Sequence, residues 1–144
     1  MVSLSVAASD YQSITIEVHS YERGVTGDYY DDNWLNVIVS IKAGGFSGHF
    51  PTSFLTEDFF SFHEEVSALY ETLKGSATFS TMEEQLSLSL VGNGRGGIKL
   101  TAVAVDEVGI GNQLKFAFPI DQTHLRSLLH DLKEVQAAFP VRSN

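Results

Sequence analysis

The run Asp28-Tyr29-Tyr30-Asp31-Asp32-Asn33-Trp34 concentrates more chemistry than any other stretch of the chain. Its three carboxylates and one side-chain amide are hard oxygen donors of the kind calcium takes, but the EF-hand pattern, with its central Gly and closing Glu, is absent. Neighbours such as Asp31 and Asp32 also tend to point apart. Two Tyr and a Trp offer rigid amphipathic contact area and the acids a salt-sensitive rim, so the same residues describe a protein-binding loop. In a third reading Trp34 packs at the start of a strand and the acids are simply solvated. Calcium site, binding loop and solvated turn all stay open at this level. As a binding loop, the contact set is Asp28, Tyr29, Tyr30, Asp31, Asp32 and Trp34.

Other candidate chemistry dissolves on inspection of spacing. The histidines are His19, His49, His63, His124 and His130, and no pair has zinc-ligand spacing. His63-Glu64-Glu65 begins like the H-E-x-x-H helix of zinc proteases, but position 67 is Ser. Gly45-Phe46-Ser47-Gly48 resembles part of a nucleophile elbow, yet position 49 is His and strands are expected on both sides. Residues 92–97 contain G-x-G-x-G, but a dinucleotide loop must open a helix whose N-terminus holds the pyrophosphate. A hairpin turn explains those glycines better. Asp31/Asp32, Glu64/Glu65 and Glu83/Glu84 are chain neighbours, whereas acid–base work needs two carboxylates facing one pocket. Glu64 and Glu65 lie between Phe62 and Val66 and read as a solvated helix face. The chain has no Cys, which excludes disulfides, thiol catalysis and Cys-based metal sites. No catalytic residue, metal or cofactor is assigned.

The elements that must position residues 28–34 follow from hydrophobic period. Ile14, Ile16 and Val18 alternate with Thr15, Glu17 and His19, a strand with one apolar face. Residues 22–32 lack periodicity and read as a long acidic loop. Leu35, Val37, Val39 and Ile41 mark a second strand, and residues 46–55 a third, placed at an edge or bulged because Pro51 has no N–H to donate. Thr56 is the expected N-cap of a helix over about 57–73, with Glu57 and Asp58 in its first turn. Its stripe is Phe59, Phe62, Val66, Leu69 and Leu73, with Gly75 as the natural residue after its end. Residues 77–80, 86–90, 98–105 and 114–120 read as four further strands. Asp121 caps a second helix with the stripe Leu125, Leu128, Leu129, Leu132, Val135 and Phe139, and Pro140 stops it.

The order is β-β-β-α-β-β-β-β-α, with no sequence repeat and no linker. It predicts one α+β domain over residues 1–144, a mostly antiparallel sheet of about six to seven strands with two helices packed on one face. The length of 144 residues suits a single core.

The formal net charge is −9, and it is uneven: residues 1–84 hold 13 acids and 3 bases, residues 85–144 hold 5 acids and 6 bases. Phosphate-backbone binders need a basic face, so direct nucleic-acid binding is disfavoured, as is an anionic lipid surface. An acidic chain suits a basic partner, although many small domains are acidic merely for solubility. The longest uncharged run, residues 43–56, is punctuated by Gly44, Gly45, Gly48 and Pro51 and is too short to span a bilayer. Nothing upstream of Val6-Ala7-Ala8-Ser9 supports a signal peptide. A soluble, cytoplasmic protein is expected.

Several strings together carry a family resemblance. Tyr30-Asp31-Asp32-Asn33-Trp34-Leu35-Asn36-Val37 is followed by Gly44-Gly45-Phe46-Ser47-Gly48 and Leu69-Tyr70-Glu71-Thr72-Leu73-Lys74-Gly75. Asn112-Gln113-Leu114-Lys115-Phe116, Asp121-Gln122-Thr123-His124-Leu125 and Phe139-Pro140-Val141 complete the series. In order and spacing, from Asp28 to Val141, these strings resemble the WapI-like immunity protein family of bacteria. The resemblance implies a non-enzymatic cytoplasmic antidote in contact-dependent growth inhibition. Its partner would be a cognate toxin whose C-terminal domain is a tRNA nuclease, a basic domain that suits this acidic chain. No catalytic residue is carried over. Two other readings compete: an enzyme or ligand-binding domain using Asp121 and His124, and an interaction subunit that forms a homo-oligomer through Ile38, Val103, Val105 and Ala117 on an open sheet face.

Overall fold

In the computed structural model, which describes residues 1–143, every period-2 segment becomes a strand and one more precedes them. Val2, Leu4 and Val6 alternate with Ser3 and Ser5 in β1 (Val2–Ser9). It pairs with β2 (Gln12–Tyr21), which pairs with β3 (Trp34–Ala43), which pairs with β4 (Phe46–Leu55). Between β2 and β3 the acidic loop contains a short helix, α1 (Tyr29–Asn33). Helix α2 (Thr56–Thr72) follows β4 directly and leads into β5 (Lys74–Phe79). The chain then makes β6 (Leu86–Asn93), β7 (Gly97–Val105), β8 (Gln113–Asp121) and α3 (Gln122–Ala138).

The expected single sheet is in fact two antiparallel sheets of four strands, ordered β1-β2-β3-β4 and β5-β6-β7-β8, and the described residues form three helices instead of two. The division falls at α2. Helix α2 carries the chain roughly 25 Å along its axis and packs on α3 and β5 with little contact to the first sheet, so β5 starts a new sheet instead of extending the first.

The structure also reveals a duplication that residue identities hide. Each half is a four-stranded meander running without a break into a 17-residue helix. The two apolar stripes share one spacing, Phe59, Phe62, Val66, Leu69 and Leu73 against Leu125, Leu128, Leu132, Val135 and Phe139. Helices α2 and α3 pack on each other, and each lies on the first strand of the opposite half, α2 on β5 and α3 on β1. Buried residues of both halves form one hydrophobic core.

This exchange also covers two sheet edges. Strands β1 and β5 are terminal in their sheets. On β1 the Ser5 N–H donates to the Asp131 carboxylate of α3 (3.1 Å). On β5 the Thr78 N–H donates to the Glu65 carboxylate of α2 (3.2 Å). Glu65, expected to be merely solvated, thus occupies an edge N–H that could otherwise template another strand. The remaining edges, β4 and β8, carry Pro51 and Pro119 opposite Ile38 and Lys99. Pro51 is at an edge, as its missing N–H requires.

Packing at the end of α2 departs from expectation. Leu55 rather than Thr56 is the N-cap residue, and the left-handed residue closing the helix is Leu73 (φ 58°) rather than Gly75. The Leu73 carbonyl accepts the Gly94 N–H (2.7 Å), which holds it over β6. A Cβ on Gly92 would lie 2.4 Å from that carbonyl oxygen. Gly92→Ala is therefore expected to destabilise the fold by about 1–3 kcal/mol through overpacking, measured as a lower thermal midpoint.

Candidate functional site

The loop between β2 and β3 is built from the inside. Asp32, one of the candidate contact acids, is fully buried. Its carboxylate accepts the Thr26 N–H (2.6 Å), the Thr26 hydroxyl (2.7 Å) and the Gly27 N–H (3.0 Å). The Thr26 N–H above all holds its pKa below the usual carboxylate value, against the opposing effect of burial. Stability from this cluster is present at neutral pH and is lost as pH falls toward and below the ordinary Asp value. With its oxygens engaged by these donors, Asp32 is a structural residue and a poor calcium ligand.

Asn33 ties three segments together. Its side-chain amide donates to the carbonyls of Tyr29 (2.7 Å) and Arg142 (2.8 Å). Its Oδ1 accepts the Thr56 hydroxyl (2.7 Å) and the Arg142 N–H (2.8 Å). Thr56 is thereby diverted from capping to holding α1. The C-terminal segment closes the frame: the Arg142 guanidinium lies 3.4 Å from the Tyr21 ring centroid and donates to the Arg23 carbonyl (3.0 Å). The Tyr21 hydroxyl donates to the Pro140 carbonyl.

On this frame the remaining candidates differ in exposure. Asp28 is exposed and caps α1, its carboxylate accepting the Asp31 N–H (3.0 Å). Asp31 is exposed and paired with Arg23 (3.2 Å). Tyr30 is 51 % exposed, with its ring edge-on to Tyr29 (5.4 Å). Tyr29 is half-buried and its hydroxyl donates to Glu57 (3.1 Å), and Trp34 is half-buried opposite Leu55. The structure thus places Asp28, Tyr30 and Asp31 on the outside and uses Asp32 and Asn33 to hold them. The sequence offers Asn33 only as a calcium donor, outside the contact set, and gives no sign of the role of Arg142.

Asp58, in the first turn of α2, accepts the Leu55 N–H (2.8 Å), and burial pushes its carboxyl up to about 6. Because the unfolded side chain titrates near ~3.9, the folded chain takes up this proton first. The Asp58 contribution therefore raises stability as pH falls from about 7 toward about 4, and disfavours folding at neutral pH. Asp58→Asn is expected to flatten that slope, read from denaturation midpoints across the range.

Asp121 and His124 serve as a helix cap. The Asp121 carboxylate accepts the Thr123 N–H (2.9 Å), and His124 Nδ1 accepts the Asp121 N–H (3.1 Å). His63 Nδ1 accepts from the Gln136 amide (2.6 Å) between α2 and α3. Among the described residues no group of three or more His, Asp or Glu is placed to hold a metal ion. No described helix is long and apolar enough to cross a membrane.

Together these features define a duplicated two-sheet α+β protein whose acidic, aromatic loop is preformed by buried hydrogen bonds. The chain belongs to the Immunity protein WapI-like family, whose profile matches residues 5–140. The match takes in the second half of β1 and all of β2, upstream of the resemblance that begins at Asp28. A search of curated proteins finds no match to the chain.

Proposed function

We propose that the chain is the antidote of a toxin–immunity pair, binding a cognate basic toxin domain of nuclease type in the cytoplasm of the producing cell and blocking it without catalysing a reaction. The observation that carries this reading is the family match over residues 5–140. The concentration of acids in residues 1–84 supports a basic partner. Within the loop, Asp28, Tyr30 and Asp31 make the contact, Tyr29 and Trp34 back them, and Asp32 positions them.

The test is kinetic. Asp28→Ser with Asp31→Ser is expected to slow association with the purified toxin domain on the order of tenfold at low salt and to flatten the salt dependence, leaving dissociation nearly unchanged. Asp32 is left intact in this variant because its removal would collapse the frame. An unchanged association rate removes the loop from the interface.

A further inference from the structure

Away from the loop, three of the most exposed apolar side chains lie at one end of the molecule. Tyr11 (72 % exposed) and Ile110 (81 %) occupy turns, and Phe46 (68 %) opens β4, at the far end of the strands from residues 28–34. The β1–β2 and β3–β4 turns touch through the Gly44 N–H and the Tyr11 carbonyl (2.8 Å). The β7–β8 loop is clamped by Asp106, whose carboxylate accepts the Asn112 N–H (2.7 Å) and side-chain amide (3.2 Å). The clamp, with the Gly111 N–H donating to the Glu107 carbonyl (3.0 Å), presents Ile110 to solvent on a hydrogen-bonded loop.

Between the β3–β4 hairpin and that loop lies a groove of about 260 Å³, floored by Ile41, Phe50, Ala104 and Leu114 and lipped by Phe46 and Asp106. It is smaller than the roughly 300–1,000 Å³ of small-molecule sites and suits a single inserted side chain. Glu83 and Glu84 line a hollow against Gly109 and Gly111 of the same loop. Asp10 and Glu107 stand on the neighbouring turns. A second copy of this chain would set these carboxylates against one another, whereas a basic surface meets them.

We infer that this end is a docking surface for a basic protein, which inserts one aromatic side chain into the groove while its Lys and Arg side chains meet Asp10, Glu83, Asp106 and Glu107. The inference rests on the reading of the chain as antidote to a basic toxin. It assigns the residence time of the complex to this end and the encounter rate to the loop. One partner lying along the first sheet reaches both, since ten strand residues span roughly 33 Å and a standard interface of about 800 Å² per partner is about that wide.

The test maps backbone amides of the full chain by NMR with two probes, the peptides Ac-Lys-Lys-Trp-Lys-Lys-NH2 and Ac-Lys-Lys-Ser-Lys-Lys-NH2. The Trp peptide is expected to shift residues 46–49 and 110–114 and to bind there about tenfold more tightly than the Ser peptide. Phe46→Ser with Ile110→Ser, both at exposed positions, should abolish that difference while the spectrum stays folded. Equal responses to both peptides at the groove, or Trp-dependent shifts centred elsewhere, overturn the inference. A Trp-dependent groove on a chain that neutralises no toxin would uphold the surface and refute the antidote reading. Neutralisation by a chain without such a groove would do the reverse.

Discussion

Phe79→Ala is expected to lower stability by about 3–5 kcal/mol, a drop of roughly 10–20 °C in thermal midpoint for a chain of this size. Phe79 carries an aromatic contact between the two sheets. From β5 it packs edge-on against Phe54 of β4 (5.2 Å) and Phe62 of α2 (5.3 Å), with Phe59 at 5.8 Å. All four rings are fully buried. Truncation leaves a cavity where the two halves meet, and regular strands on both sides limit collapse. Total stabilities run to about 5–15 kcal/mol, so the variant approaches the threshold of folding. Phe79→Leu, which keeps most of the volume, should cost far less. If the Ala variant lost under about 1 kcal/mol, the two halves would not depend on one shared core.

Asn33→Ala is the second large effect, expected at about 3 kcal/mol. It strips partners from the Tyr29 and Arg142 carbonyls, the Arg142 N–H and the Thr56 hydroxyl at once. The penalty comes less from the lost bonds than from polar groups left without partners away from water. Residues 140–143 should then become accessible to protease under native conditions, and association with the toxin domain should slow because Tyr30 and Asp31 lose their frame. A variant with an unchanged midpoint and an uncleaved tail would show that Asn33 is not the tie between α1, α2 and the C-terminal segment.

Much of the fold was legible because alternation and helical spacing were strong. The stripe from Phe59 to Leu69 is buried as expected, Asp121 caps α3, and Pro51 lies on an edge strand. Strand β1 is legible too, since Val2, Leu4 and Val6 alternate with Ser3 and Ser5, although no element is assigned to this segment on sequence alone. Helix α1 has five residues, too few to express a helical period. The duplication is not visible in residue identities because one stripe is rich in Phe and the other in Leu, so the halves agree in spacing rather than identity. The split into two sheets depends on where α2 and α3 pack, a long-range choice that local pattern does not encode.

The candidate loop was found by composition, but its internal division was not. Carboxylates are rarely buried, which favoured reading Asp32 as a surface acid. The burial follows from Thr26 and Gly27, whose donors face it only when the loop is folded. Arg142 lies 109 residues from Asn33 in sequence, and no local signal links them.

The most direct test of the antidote reading is inhibition. The chain is used to capture a basic domain from extracts of the source organism, the domain is identified by mass spectrometry, and its cleavage of tRNA is measured as the chain is added back. The reading predicts that cleavage stops at about one chain per toxin domain, and that high salt releases the complex and restores cleavage. A captured domain that cleaves at full rate with the chain bound in excess, or an assembly containing no basic toxin domain, would contradict it.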